Sequence, residues 1–434
     1  MDKMADVLGR AGAWCGQNKY LSAIKNAFQN FMPLTIAGAI GVLWCNVLVN
    51  DQTGLGLFFK PIMALDFLNP AFQAVNFCTI SCITVGITLG IAQEIGIWNM
   101  GAEKAGYIPG LVGLAAWLSV TNTSHMVEGA KDAFTGIAGN ELGATGLFTG
   151  MIIGVLSVEL FCFFEKQDAL KIKMPEQVPP GVARAFEVLV PATLTLIITA
   201  CIGSACYNLT GLYLNDVIKN GIQGPLGAVG ATIPGVMIIY LVIMLFWLVG
   251  IHGNNMLSAV KEALFTPLAL ENVEAFNKGE TPKNIINMYF LQMCGEFGGS
   301  GVTIGLVIAI MIFGKREDNK AIAGLSLVPG LFNINETVTF GIPMVLNPIL
   351  GIPFVFACLV TILVGYVLTV IGFCPVACLT VPWTTPPIVF GFLATGANIM
   401  GAVTQAILIV VSTVIYVPFL IAYEKYQNKQ AAEA

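Results

Sequence analysis

Two titratable side chains stand in stretches that hold almost no others. His252 lies in FWLVGIHGNN (246–255), directly after an apolar run, and Glu336 lies in LVPGLFNINETVTFGIPMVLNP (327–348). Each is flanked by glycine or proline, by side-chain amides and by long apolar segments. An ionisable group at bilayer depth costs roughly 2.5–3.5 kcal/mol on insertion scales, so it marks a function or a specific partner. For Glu336 the alternatives are contact with a ligand and a carboxylate at the N-terminus of a re-entrant helix, where the dipole favours an anion. For His252 they are contact with a ligand and an imidazole satisfied by a backbone carbonyl at a helix end. Glu296, in CGEFGGSG (294–301), reads as a packing or helix-end residue. Glu159 interrupts SVELFCFF near the end of an apolar run, where a side chain snorkels cheaply. His125 in TNTSHMVEGA reads as a solvated loop histidine.

Other polar groups recur beside these two: Asn254, Asn255, Asn333, Asn335, Thr384, Thr385 and Trp383 of VPWTTPP. A carboxylate accepts two hydroxyl donors, and an amide or neutral imidazole both donates and accepts. Indole offers a flat apolar face to the C–H side of a pyranose; it also serves as an interfacial belt residue. Lysine and arginine are almost absent from these stretches, so the set suits a neutral polyhydroxylated molecule better than an anion. No enzyme nucleophile emerges. Neither G-x-S-x-G nor a Walker A sequence occurs, and GGSG at 298–301 reads as a glycine-rich helix entry. With two histidines and no C-x-x-C, a metal centre is not expected, nor any cofactor. The eleven cysteines, most of them in apolar runs such as those around Cys162, Cys201 and Cys358, read as small packing residues.

The elements that must position these groups are membrane helices. Of the 434 residues, 56% are apolar and 10% charged. Soluble domains carry about 25% charged residues. The net charge of −5, with no basic stripe, argues against a nucleic-acid partner. Residues 26–50, 67–93, 188–215 and 220–260 contain no charge, and neither do the 87 residues of 337–423. A spanning helix needs roughly 20 apolar residues. The chain is therefore expected to be an all-helical polytopic protein of the lipid bilayer. Expected spans are 29–49, 71–92, 105–121, 143–163, 186–207, 232–251, 288–313, 350–372 and 398–422. The N-terminal 25 residues do not read as a secretory signal, and no soluble domain is expected after the last span.

Basic clusters should be cytoplasmic. They are Lys3/Arg10/Lys19/Lys25, Lys166/Lys171/Lys173/Arg184, Lys315/Arg316/Lys320 and Lys425/Lys429. The first four spans obey this rule and place 50–70 and 121–142 outside, the latter acidic through Glu128, Asp132 and Glu141 against Lys131. Parity then fails, because the next three spans would carry Lys315 to the wrong face. Some apolar segment in the second half does not cross simply, or a crossing is hidden. Candidates are 253–268, 325–345 and 375–392, the last two interrupted by proline and glycine. Such pieces are tolerated at membrane depth only where protein shields them or water reaches them, and in transporters they point to the binding site. Gly146, Gly150 and Gly154 let another backbone approach closely, either within the chain or across a dimer. Residues 164–184 read as a cytoplasmic loop between an N-terminal half, 1–180, and a C-terminal half, 181–434.

The same segments resemble the membrane-embedded IIC component of bacterial sugar phosphotransferase systems, of the lactose/cellobiose/diacetylchitobiose family. The stretches that carry the resemblance are AIKNAFQNFMPLTIAGAIGVL (23–43), FWLVGIHG (246–253), GGSGVTIGLVIA (298–309), LSLVPGLFNINETVTFGIPMVLNPILGIPF (325–354) and VPWTTPPIVFGFLATG (381–396). The resemblance implies a glucose-superfamily IIC fold of about ten transmembrane helices with two re-entrant hairpins. It implies both termini on the cytoplasmic side of the bacterial inner membrane, and a homodimer formed by the N-terminal half. It also implies that His252 and Glu336 bind the sugar, together with Asn335 and Trp383; Asn254 and Asn255 follow GIHG directly. The substrate would be a disaccharide like cellobiose, chitobiose or lactose. The phosphoryl donor would be a phosphocysteine on a separate IIB protein, charged through IIA and the general phosphocarrier, so no catalytic residue of this chain is phosphorylated. Three departures bear on which sugar is taken: Thr337 in place of a proline after NINE, Phe290-Leu291-Gln292 where an aspartate is expected third, and Asn254-Asn255 after GIHG. Rival readings are an ion-coupled secondary sugar transporter, with Glu336 or Glu296 as the proton site, and a receptor that binds sugar without moving it.

Overall fold

The computed structural model describes residues 10, 13–14, 17–51, 55–125, 134–175 and 177–433. Lys3, Glu128, Lys131 and Asp132, which enter the charge balance of the loops, lie outside the described residues. Helices follow the apolar runs. In chain order they include α1 (Lys19–Leu43), α2 (Asn69–Asn76), α3 (Ile83–Met100), α4 (Ile108–Val120), α5 (Ala144–Glu165) and α6 (Pro180–Thr210). After these come α7 (Ile233–Leu248), α8 (Gly253–Met256), α9 (Ser258–Asn277), α10 (Met288–Gly295) and α11 (Ile304–Phe313). Further along are α12 (Glu317–Leu331), α13 (Glu336–Gly341), α14 (Gly351–Val370), α15 (Val389–Ala394) and α16 (Ile399–Glu433), and a few shorter turns of helix are left unnumbered. One minimal antiparallel pair, β1 (Ser124–His125) with β2 (Phe134–Thr135), interrupts the helices.

Among the described residues, five helices are long and apolar enough to cross a membrane, or seven if each of two bent pairs counts as one span. Both bent pairs fall where an unbroken span was expected. The segment expected to span 71–92 is bent by 42° between Lys60–Ser81 and Ile83–Met100, and the one at 288–313 by 59° between Met288–Val302 and Ile304–Phe313. In the second case the cause is GGSG, which is more than a helix entry. Gly298, Gly299 and Gly301 all take positive φ, so the helix cannot run through.

Contacts divide the chain into two units. One holds the described residues of Gln17–Ala37 and Phe77–Gly227. Its buried centre joins Ala116, Trp117 and Val120 of α4 to Ile153 of α5. The glycine stripe of α5 is used inside this unit. A Cβ on Gly150 would meet the Thr88 hydroxyl and lie 2.9 Å from Thr84 Cγ2, both on α3, and one on Gly154 would lie 3.1 Å from the Thr88 carbonyl. Glu159 pairs with Lys19 at 2.6 Å, so it is matched by a cation as well as lying near a helix end. Glu165, almost fully buried, is bridged by Lys104 at 2.9 Å and Arg184 at 3.0 Å. His125 is half-buried and contacts the Asn122 carbonyl at 3.2 Å.

The other unit holds the described residues of Met1–Gly16, Gly38–Asn76 and Ala228–Ala434. Its core runs from Val236 and Tyr240 of α7 through Phe290, Leu306 and Phe354 to Leu408 and Tyr416 of α16. Of the three apolar segments expected not to cross simply, 253–268 forms α8 and most of α9, whereas 325–345 and 375–392 are broken. Residues 371–388 contain no helix or strand. In hydrocarbon their backbone groups would be orphaned at several kcal/mol each, and side-chain amides catch them instead. Asn272 and Asn287 each donate to the Ala377 carbonyl at 3.0 Å. The Gln405 side-chain carbonyl accepts from the Ile388 and Gly391 amides at 2.8 and 2.7 Å. Asn287 also caps α10, accepting from the Tyr289 and Phe290 amides.

The close approach of α5 to α3 generates an expectation. Gly150→Leu should destabilise the protein by about 1–3 kcal/mol through overpacking, read as an earlier thermal transition in detergent. Gly181→Ala, at a position with open space around it, should leave the transition in place. An unmoved transition for Gly150→Leu would show that the stripe does not pack on α3.

Candidate functional site

α7 begins with a capped TIPG turn, Thr232 accepting from the Gly235 amide at 3.2 Å. It ends in a Schellman motif. Gly250 takes φ 80°, the Ile251 amide donates to the Phe246 carbonyl at 3.0 Å, and the Gly250 amide donates to that of Trp247 at 3.0 Å. The stop turns the chain so that His252 becomes the cap of α8. α12 ends in the same motif at FNIN, with Asn333 in the left-handed position at φ 63°. There the Ile334 and Asn333 amides donate to the Pro329 and Gly330 carbonyls at 3.0 and 3.1 Å. Asparagine tolerates this conformation better than other non-glycine residues. Glu336 then opens α13, so it sits at a helix N-terminus as well as on the wall of a cavity.

The cavity has a volume of about 680 Å3. His252, Asn254, Asn255, Asn335, Glu336 and Trp383, the six residues expected to contact a ligand, all line it. Thr384 and Thr385 do not. His252 Nε2 stands 3.9 Å from a Glu336 carboxylate oxygen, too far for a hydrogen bond. The imidazole packs on Trp247 with ring centroids 4.4 Å apart. Its Nδ1 accepts from the Asn255 backbone amide at 3.2 Å. A carbonyl partner was the alternative expected from the sequence; the actual partner is a donor, which leaves the ring proton of neutral imidazole on Nε2, facing Glu336.

Several polar groups of the wall are committed to its frame. Asn333 accepts from the Gly298 amide at 2.6 Å and donates to the carbonyls of Trp383 and Thr385, the latter at 3.1 Å. It thereby ties together three interrupted segments. Asn335 donates to the Ser300 carbonyl at 2.9 Å and fills the space where Gly299 has no side chain. Asn254 donates to the Ser300 hydroxyl at 3.0 Å and accepts from Lys261 at 3.1 Å. Trp383 remains 44% exposed.

Two parts of this wall lie outside the six expected residues. Lysine is not absent from it: Lys261 of α9 is 6% exposed, lines the cavity and is ion-paired with Glu296. Glu296 also accepts from the Tyr240 hydroxyl at 2.7 Å. The pair neutralises itself, so a neutral ligand remains the better fit. The lone Lys261-Glu262 dipeptide within an apolar stretch was the available signal. Met288 is the second; Glu296, expected to pack or end a helix, and Gln292, noted above only as a departure from the family pattern, line the cavity with it. Their spacing of four places them on one face of α10 and its cap, toward the cavity.

Long apolar helices, interrupted segments whose backbone is satisfied by protein, and a cavity into which those interruptions bring polar side chains define a multi-pass membrane carrier for a small polar solute. Residues 25–358 match the family Phosphotransferase system, EIIC. The chain is 34% identical to the oligo-beta-mannoside-specific EIIC component of Bacillus subtilis, over 98% of its own length and 94% of the relative's. It is 30% identical to the cellobiose-specific EIIC component of Lactococcus lactis, over 98% of both. The crystal structure of ChbC, the IIC component of the N,N′-diacetylchitobiose-specific phosphotransferase system, superposes with TM-score 0.88 at 29% identity, covering 97% of each chain. The chain belongs to the EIIC family and is a sugar-translocating IIC subunit of a phosphotransferase system. That membership brings a sugar as substrate and cooperation with a IIB protein; a secondary transporter is not favoured.

The Asn333 tie is open to test. Asn333→Gly keeps the left-handed turn and removes three hydrogen bonds to backbone, a loss of about 2–4 kcal/mol. A lower thermal midpoint is expected, with Asn333→Asp, which keeps the Gly298 contact, falling between. Equal midpoints for Asn333→Gly and wild type would remove the tie from the account.

Proposed function

We propose that the cavity takes up a β-linked disaccharide and that Glu336 and His252 hold the hydroxyl that receives the phosphoryl group. The observation that carries this is the 3.9 Å gap between His252 Nε2 and the Glu336 carboxylate. A hydroxyl oxygen about 2.8 Å from each would bridge it, accepting from Nε2–H and donating to the carboxylate. Among the described residues Glu336 accepts no hydrogen bond from the chain, so its lone pairs are available. The cavity volume lies within the roughly 300–1,000 Å3 of small-molecule sites. Exposed Trp383 offers an indole face to a pyranose, and Asn255, also exposed, lines the cavity. Asn254 and Asn335, with part of their capacity committed, orient the wall. The relatives' names, for oligo-beta-mannoside, cellobiose and N,N′-diacetylchitobiose, support the disaccharide class.

In the transfer step the S–P bond of a phosphocysteine on IIB breaks and an O–P bond forms on the sugar hydroxyl, whose proton passes to Glu336. Once Glu336 returns that proton to water, its carboxylate faces an ester carrying up to about two negative charges. Repulsion favours release inward. IIA and the general phosphocarrier would recharge IIB. With the family resemblance as support, we extend the reading to ten crossings with two re-entrant hairpins and both termini in the cytoplasm. It extends equally to placement in the inner membrane and to a homodimer built on the N-terminal half, 1–180, against which 181–434 moves.

Two measurements test the site. Glu336→Gln should lower phosphorylation-coupled uptake by about 10²–10⁴-fold, with sugar binding changed far less; near-normal uptake would refute the role. Calorimetry of the purified protein with unphosphorylated cellobiose, mannobiose, lactose and diacetylchitobiose should give saturable heat with at least one. Silence with all four would reject a disaccharide.

A further inference from the structure

His252 and Glu336 reach the cavity from different elements, one capping α8 and the other opening α13. One residue holds both elements. Ser300, 5% exposed, lies in the turn between α10 and α11. Its hydroxyl accepts from the side chain of Asn254, two residues after His252, at 3.0 Å. Its backbone carbonyl accepts from the side chain of Asn335, one residue before Glu336, at 2.9 Å. Both ties end on stiff attachments. The Asn255 amide donates to His252 Nδ1 at 3.2 Å, which fixes the imidazole to the turn that carries Asn254. Asn335 is the N-cap of α13, its carbonyl accepting from the Thr339 amide at 2.9 Å. Ser300 itself has little freedom. A Cβ on Gly299 would lie 2.6 Å from Asn335 Cβ, and one on Gly301 would lie 3.0 Å from the Phe354 carbonyl oxygen. The buried Tyr416 hydroxyl donates to the Gly301 carbonyl at 2.8 Å.

We propose that Ser300 is a positioning residue: it sets the separation of His252 and Glu336 at which one sugar hydroxyl bridges them, and it does so without touching the sugar. The proposal rests on the reading that these two side chains hold the reacting hydroxyl. It adds that their spacing is set from a third element, through the hydroxyl and the carbonyl of a single residue. Loss of the hydroxyl leaves α13 tied and releases α8. A bridge of about 2.8 Å on each side tolerates little of this, since at about 3.6 Å a hydrogen bond is no longer made.

The test uses the purified full chain, whichever disaccharide of the four-sugar panel binds, and its analogue lacking the hydroxyl that is phosphorylated in the product. Wild type should prefer the parent sugar by about 10- to 150-fold. Ser300→Ala should lower that preference by at least about fivefold, with affinity for the analogue staying within about twofold of wild type. A ratio of affinities does not depend on how much of the variant is folded. If Ser300→Ala yields no folded protein, Asn254→Ala cuts the same bond from its other end and should lower the preference likewise. Ser300→Ala added to Asn254→Ala should lower it no further, because the two substitutions share one bond. A further drop in the double variant overturns the proposal. So does weaker binding of the analogue to Ser300→Ala, which would put Ser300 in contact with the sugar. Wild type that binds both sugars equally overturns the reading of the site itself, whereas a wild-type preference that Ser300→Ala retains overturns only the role of Ser300.

Discussion

Lipid supplies no hydrogen bonds, and this constraint organises the unit that holds the cavity. A carrier needs irregular chain around its solute, because a continuous helix has no free backbone and little room for a polar pocket. Each irregular stretch must then be satisfied by the protein itself. Here asparagine and glutamine side chains do so. Asn333 is the junction, reaching the Gly298 amide on one side and the carbonyls of Trp383 and Thr385 on the other. Asn272, Asn287 and Gln405 hold the rest of the 371–388 segment. An amide suits the task because it donates and accepts without carrying a charge that must itself be solvated.

The same economy shapes the wall. Glu296 and Lys261 are each a large liability in a low-dielectric setting, and their pairing, with Tyr240 and Asn254 taking the remaining bonds, removes both net charge and unmet demand. Two Schellman stops, at Gly250 and Asn333, point the following residues inward. The imidazole and carboxylate are thus delivered by the ends of two helices that are far apart in sequence, while the partners of the surrounding residues lie within the frame.

Much of this was legible from residue types. The charge-free runs located α7, α14 and the start of α16 to within a few residues, because a lipid-facing helix cannot hide a lysine. His252 and Glu336 stood out for the same reason. What escaped was whatever depends on partners. GGSG looked like a helix entry, since nothing in four small residues announces a 59° bend that Asn333 and Asn335 complete from 35 residues away. Asn333 looked like a ligand group, because an amide spent on the frame and an amide left for a solute are identical in sequence. Lys261 was overlooked for the converse reason: its charge is cancelled by Glu296, 35 residues on, and only the fold reveals the cancellation.

The spacing of 3.9 Å between imidazole and carboxylate also has a cost to the resting protein. Two groups able to bond are held slightly apart, so the fold forgoes a contact that a small shift would supply. Selection for heat resistance alone would favour closing that gap or replacing the pair with apolar residues; on the proposed reading of the site, such a change would exchange transport for sturdiness.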